Sequence, residues 1–148
     1  APVRADGQPA WNRVQPGKRP RSSMAPTIVY DASGQPLAAF GAAGGATIIA
    51  QVAKAIIAFL DWEMPVEQAI AAPQLVADRR GVHLEAGTRL VAMTAGLKAL
   101  GHPVVDAVPL PLKGNAIARD GKMWRAAADP RSDGVGLALS PPARKGRR

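Results

Sequence analysis

Apolar residues recur along this 148-residue chain with two different periods, and the changes of period divide it into predicted strands and helices. Residues 27–30 and 37–40 are short, apolar and β-prone, and they flank Asp31-Ala-Ser-Gly-Gln-Pro, so a hairpin turning at Ser33 and Gly34 is expected. After Gly44 and Gly45 the period lengthens. Ile48, Ile49, Val52, Ile56, Phe59 and Leu60 follow at spacings of three and four, the stripe of an amphipathic helix. Residues 65–71 predict a second, short helix, because proline suits the first helical position and Glu67 the positive end of the dipole, and Pro73 ends it. Residues 82–85 read as a strand. Residues 88–100 read as a helix offering Leu90, Met93, Ala95, Leu97 and Leu100 to a core, with Gly101 at its end and His102 starting the next connection. Asp120-Gly121, between Ile117 and residues 123–125, is the strongest hairpin signal in the chain.

Hairpins separated by helices predict an α/β (α+β) arrangement of mainly antiparallel strands, with helices covering one sheet face. A sheet built from these runs alone is small, so it is expected to continue into polypeptide outside this chain. Residues 1–21, rich in proline, glycine and arginine without periodicity, read as an extended lead segment. Residues 22–139 then form one domain, and residues 140–148 a basic tail.

Charge sharpens that division. The formal net charge is +8, but residues 1–21 hold five basic residues and one acid, and residues 141–148 hold four basic residues. The stretch between carries ten of each sign, which argues against a basic nucleic-acid groove in the folded body. Cysteine is absent, which removes disulfides, thiolate catalysis and cysteine-ligated zinc. His83 and His102 have no H-x-x-x-H spacing, so no metal site is expected. The longest uncharged stretch holds Ser33, Gln35, Pro36 and four glycines and does not read as a membrane span.

Three segments carry candidate chemistry. Ser22 and Ser23 are adjacent hydroxyls in a proline-bounded run that also contains Lys18 and Arg19. They suit either a turn cap or hydrogen bonding to a substrate carboxylate. Gly41-Ala-Ala-Gly-Gly-Ala-Thr joins a predicted strand to the first helix; its glycines permit a tight turn, or leave N–H groups free for a phosphate, a carboxylate or an oxyanion. It matches neither a dinucleotide fingerprint nor a P-loop. In Ala128-Asp-Pro-Arg-Ser-Asp-Gly, Asp129 suits a turn cap and Arg131 an ion pair, whereas Asp129 and Asp133 are a poor basis for metal binding.

In order, P-G-K-R-P-x-S-S-M-x-P-T-I-V, G-x-x-G-G-x-x-I-I, A-x-x-A-P, G-H and A-x-D-P-R over residues 12–134 resemble the γ-glutamyltransferases. The resemblance implies part of an αββα N-terminal-nucleophile hydrolase sandwich, specifically the C-terminal part of the small subunit made by self-cleavage of a precursor. It implies that Ser22 and Ser23 bind the substrate α-carboxylate, that Gly44 and Gly45 form the oxyanion hole, and that no cofactor is needed. The threonine nucleophile is then expected upstream of Ala1, which would leave this chain alone inactive. Arg21 and Ala42-Ala43 depart from the leucine and Ser-Pro expected there. Implied partners are glutathione or another γ-glutamyl compound, the large subunit and the upstream small-subunit segment, in a periplasmic or extracellular setting. A non-catalytic binding domain that kept the fold and carries a basic tail is the alternative function.

Overall fold

A computed structural model describes residues 3–137; the tail at 140–148 lies outside the described residues. Strands β1 (Thr27–Tyr30) and β2 (Pro36–Ala43) lead into a 3-10 turn (Gly45–Thr47) and helix α1 (Ile48–Leu60), then α2 (Val66–Ala71). Strands β3 (Leu75–Asp78) and β4 (Gly81–Glu85) follow, then a 3-10 segment (Arg89–Met93) running into α3 (Thr94–Ala99). The described part closes with β5 (Val105–Val108), β6 (Lys113–Asp120) and β7 (Met123–Ala128). The result is a mixed α+β fold with two sheets. One is antiparallel in the order β1-β2-β6-β7, and the other, β3-β4-β5, is antiparallel at β3–β4 and parallel at β4–β5.

The first hairpin forms because Asp31 organises its own turn. Its Oδ1 accepts hydrogen bonds from the Ser33 N–H (2.9 Å), the Ser33 hydroxyl (2.6 Å) and the Gln35 N–H (3.0 Å), and Oδ2 pairs with Arg119 on β6. Those hydrogen bonds, Ser33 first and then Arg119, hold the Asp31 carboxyl well below the ordinary carboxylate range.

Helices α1 and α2 cover one face of the larger sheet. Ala38 and Phe40 from β2, Ala116 and Ala118 from β6, and Ala127 from β7 meet Val52, Ala55, Val66 and Ile70, and the Phe40 and Phe59 rings pack at 5.8 Å. The buried stripe of α1 is rotated from the one expected. Gln51, Val52, Ala55 and Ala58 are buried, whereas Ile49 and Leu60 are exposed, because alanine lets the helix approach its neighbours closely.

A smaller core of Val82, Leu84 and Val105 packs against Leu75, Leu90 and Leu97. The helix expected over 88–100 is a 3-10 segment followed by two turns of α-helix, and Met93 and Leu100 are exposed. Short helical pieces suffice here because the strands they cover are only four or five residues long.

Arg131 joins the two sheets. Its guanidinium donates to both oxygens of Glu85 on β4 (2.8 and 2.9 Å), to Asp129 just after β7 (2.6 and 2.8 Å) and to the Ile70 carbonyl closing α2 (3.0 Å). Asp129 is 2% exposed; burial pushes its carboxyl up, but Arg131 outweighs this and holds it below the ordinary value. Lys54 on α1 donates to the carbonyls of Ala69, Ile70 and Ala72 at 2.9–3.1 Å, capping α2. Burial, with Arg131 nearby, pushes that ammonium down to about 8.

Candidate functional site

The antiparallel register brings several chain segments to one end of the larger sheet. Ala43 pairs with Lys113 where β2 ends and β6 begins, and Asn115 pairs with Ala128 where β7 ends. Thr27 pairs with Phe40 at the start of β1. Ser22 and Ser23 precede the start of β1, and Gly44 and Gly45 follow the end of β2, so both expected site pairs leave the larger sheet at the same end. The Asp129–Arg131 loop leaves β7 at this end as well, with the Asp129 N–H donating to the Gly114 carbonyl at 2.8 Å.

The glycine loop is held from beneath by two side chains that sequence reasoning had not singled out, Thr47 and Gln51. The Gln51 amide nitrogen donates to the Ala43 carbonyl (3.0 Å) and to the Thr47 hydroxyl (2.8 Å), while its oxygen accepts the Lys113 N–H (2.9 Å). The Thr47 hydroxyl donates to the Gly44 carbonyl at 3.1 Å, and the Thr47 N–H reaches the same oxygen at 3.3 Å. Both carbonyls therefore point inward. Because a trans peptide sets its N–H opposite its C=O, the N–H groups of Gly44 and Gly45 point the other way, away from Gln51 and Thr47. Among the described residues neither appears as a donor in the loop and turn hydrogen bonds.

Both glycines have positive φ, +132° at Gly44 and +61° at Gly45. They differ in surroundings. A Cβ on Gly44 would run into the Pro111 carbonyl and come within 2.8 Å of the Thr47 hydroxyl and the Gln51 amide nitrogen, whereas one on Gly45 would meet nothing within 4 Å. Two adjacent backbone N–H groups without a loop or turn partner among the described residues are chemically suited to an anion or a developing oxyanion.

Ser22 is exposed and its hydroxyl accepts the Met24 N–H at 3.2 Å, a local turn; Ser23 is half-buried. Asp129 caps its loop as expected, accepting the Arg131 N–H at 2.9 Å, and its carboxylate is taken up by Arg131. Among the described residues no cluster of three His, Cys, Asp or Glu is arranged to hold a metal ion, and no helix is long and apolar enough to cross a membrane.

His83 lies apart, on β4. Its Nδ1 faces Asp106 on β5 at 2.6 Å and its Nε2 faces Asp78 on β3 at 3.1 Å, and these carboxylates, Asp78 first, push its pKa up. A groove of about 530 Å³ is also elsewhere. It is lined by Phe59, Met64, Val66 and the Ala118–Asp120 end of β6, seven residues from Lys113 and so roughly 24 Å along the strand from the glycine loop.

A sequence profile described as gamma-glutamyltranspeptidase matches residues 2–139. The chain belongs to the γ-glutamyltranspeptidase family. It is 33% identical over 134 residues to the glutathione hydrolase proenzyme of Pseudomonas aeruginosa, covering 88% of this chain and 24% of that protein. The glutathione hydrolase proenzyme 2 of Schizosaccharomyces pombe is 34% identical over 135 residues, covering 86% and 22%. The chain thus spans about a quarter of the length of these relatives. Among solved structures, a highly active mutant of the γ-glutamyltranspeptidase from Pseudomonas nitroreducens superposes with a TM-score of 0.75 at 29% identity, covering 94% of this chain and 74% of that one. The Bacillus anthracis transpeptidase CapD, at 20% identity and a TM-score of 0.71, shares the fold. The mixed α+β architecture with mainly antiparallel strands is therefore that of the N-terminal-nucleophile hydrolase sandwich in this family.

Proposed function

We propose that this chain supplies the acyl-binding part of an enzyme that cleaves γ-glutamyl amides, glutathione among them, and passes the γ-glutamyl group to water or an amine. The observation that carries the reading is the pair of N–H groups at Gly44 and Gly45 that point away from Gln51 and Thr47, set at the same sheet end as Ser22 and Ser23. In this mechanism a threonine hydroxyl from outside these 148 residues attacks the γ-amide carbonyl, its own terminal amine taking the proton. The tetrahedral oxygen accepts hydrogen bonds from Gly44 and Gly45, and collapse expels the amine to leave a γ-glutamyl ester. Water or an acceptor amine then attacks that ester, giving up a proton to the terminal amine; the second tetrahedral oxygen occupies the same donors, and its collapse breaks the ester bond and returns the threonine hydroxyl. Ser22 and Ser23 hold the α-carboxylate in both steps, which requires the Ser22 hydroxyl to turn from the Met24 N–H toward substrate. The large subunit and the upstream part of the small subunit complete the site.

The two pairs act at different points of the reaction, and that separates them experimentally. In the full-length protein that carries this segment, Ser22→Ala with Ser23→Ala should raise KM for a γ-glutamyl anilide, since each hydrogen bond to a charged group contributes about 1.5–3 kcal/mol. Gly45→Val should lower kcat instead, because a β-branched residue cannot keep that backbone and the donors face the transition state. Unchanged kinetics in the serine double variant, or a loss confined to KM at Gly45, would contradict the assignment.

A further inference from the structure

We propose that Gln51 and Thr47 are positioning residues that aim the Gly44 and Gly45 N–H groups at the reacting oxygen; the proposal rests on the oxyanion role given to those glycines. Each N–H has a dedicated holder on the far side of its own peptide plane. The Ala43–Gly44 peptide is held through its carbonyl by the Gln51 amide, and the Gly44–Gly45 peptide through its carbonyl by the Thr47 hydroxyl. Rotating either peptide to turn its N–H inward would break that bond.

The holders are themselves fixed. Gln51 is 5% exposed and uses both of its N–H donors and its oxygen, the oxygen on the Lys113 N–H where β6 begins. Thr47, 9% exposed, receives one Gln51 N–H, and its hydroxyl faces two carbonyls, that of Gly44 at 3.1 Å and, more distant, that of Pro111 at 3.4 Å. A buried polar pair with every donor engaged, seated between a helix and two strands, adopts one geometry. Residues 41–46 are all glycine or alanine, so the loop brings no polar side chain of its own to this network. Fixed donors of this kind need no reorganisation as charge develops on the reacting oxygen.

The test uses the full-length protein carrying this segment, with a γ-glutamyl anilide as substrate. Thr47→Val removes the hydroxyl at nearly constant volume, and Thr47→Ser restores it. Gln51→Met removes the amide, whereas Gln51→Glu keeps the acceptor for Lys113 and loses both donors. The expected fall in kcat is about tenfold for Thr47→Val and about 100-fold for either Gln51 variant, with KM within about threefold of the parent, as misdirected transition-state donors require. Thr47→Ser should recover most of the kcat lost in Thr47→Val. Equal loss in both Thr47 variants, a loss carried by KM, or lowered melting temperatures with kcat intact would overturn the proposal. Where a Gln51 variant does not fold, the Thr47 pair decides, because it differs by one hydroxyl. If the parent itself turns over no γ-glutamyl anilide, the reaction reading fails separately. The positioning claim is then decided by the crystal structure of Thr47→Val: a rotated Gly44–Gly45 peptide upholds it and an unmoved one overturns it.

Discussion

Adding one methyl group to each of the two adjacent glycines should have very different consequences. At Gly44 the new Cβ would collide with the Pro111 carbonyl, the Thr47 hydroxyl and the Gln51 amide, two of them polar atoms of the network that holds the loop. A φ of +132° is a region that L residues rarely adopt, which costs about 1–3 kcal/mol. Relieving the collision breaks the Gln51 to Ala43 and Thr47 to Gly44 hydrogen bonds, each contributing about 1 kcal/mol net. Gly44→Ala should therefore destabilise by about 3–5 kcal/mol and lower kcat about 100-fold or more as the donors turn away. At Gly45 the added methyl has open space, and only the left-handed backbone at +61° is penalised, by about 1–2 kcal/mol. Gly45→Ala should keep its N–H in place and lose less than about tenfold in kcat. The assay is urea unfolding of both variants beside steady-state kinetics on a γ-glutamyl anilide. Equal destabilisation and equal kcat loss would refute the view that Gly44 is packed on the Gln51–Thr47 pair.

Three further outcomes follow from the packing. His83 has its folded pKa raised above the ordinary 6.5, so its contribution to stability is fully present below about pH 6.5 and lost as pH rises through the raised value; the urea midpoint of the parent minus that of His83→Gln should fall across this window, and a pH-independent difference would refute the double ion pair. Arg131→Met leaves buried Asp129 and half-buried Glu85 without their partner and should destabilise by about 3–5 kcal/mol in urea unfolding, with less than about 1 kcal/mol counting against its role in joining the sheets. The face of the larger sheet turned away from the helices exposes Ile28, Tyr30, Ile117 and Trp124, so the isolated chain should self-associate in sedimentation and melt cooperatively only with the large subunit and upstream segment added; a compact, cooperatively melting monomer would refute this.

The parts of the fold legible in the sequence were those whose cause is local. The turn at Ser33 and Gly34 was readable because Asp31 bonds its own neighbours, and the second hairpin because Asp120-Gly121 needs little help from elsewhere. Strands β3 and β5 were not readable. Val105-Asp-Ala-Val lacks a clear strand pattern until Asp106 is seen paired with His83, and the parallel β4–β5 register joins residues more than twenty positions apart. The buried face of α1 was misjudged because bulk was counted and closeness was not. Ala55 and Ala58 sit deeper than Ile49 and Leu60, and at a close helix-to-sheet contact the small residue is the one that fits.

The candidate site divides in the same way. Gly44 and Gly45 were visible as a loop with free backbone, but the hydrogen bonds of Thr47 and Gln51 to its carbonyls were not. One signal existed: Gln51 lies at spacings of four and seven from Ala55 and Ala58, hence on the line of the apolar stripe, where a polar side chain must find partners or stay unpaired. What it bonds could not be inferred locally, because the Lys113 N–H lies 62 residues away and arrives there only through β2–β6 pairing. The same pairing sets the glycine loop at this end of the sheet, away from the groove at the other. Beside the groove, β6 and β7 are joined by a tight two-residue turn, and Arg119 and Arg125 there are already paired with Asp31 and Asp120. At the glycine end the chain leaves β2 through Gly44 and Gly45, and Gln51 and Thr47 meet the carbonyls of that exit from inside. The Gly44 and Gly45 N–H groups, turned away from those two side chains, are what remain for the oxyanion proposed above.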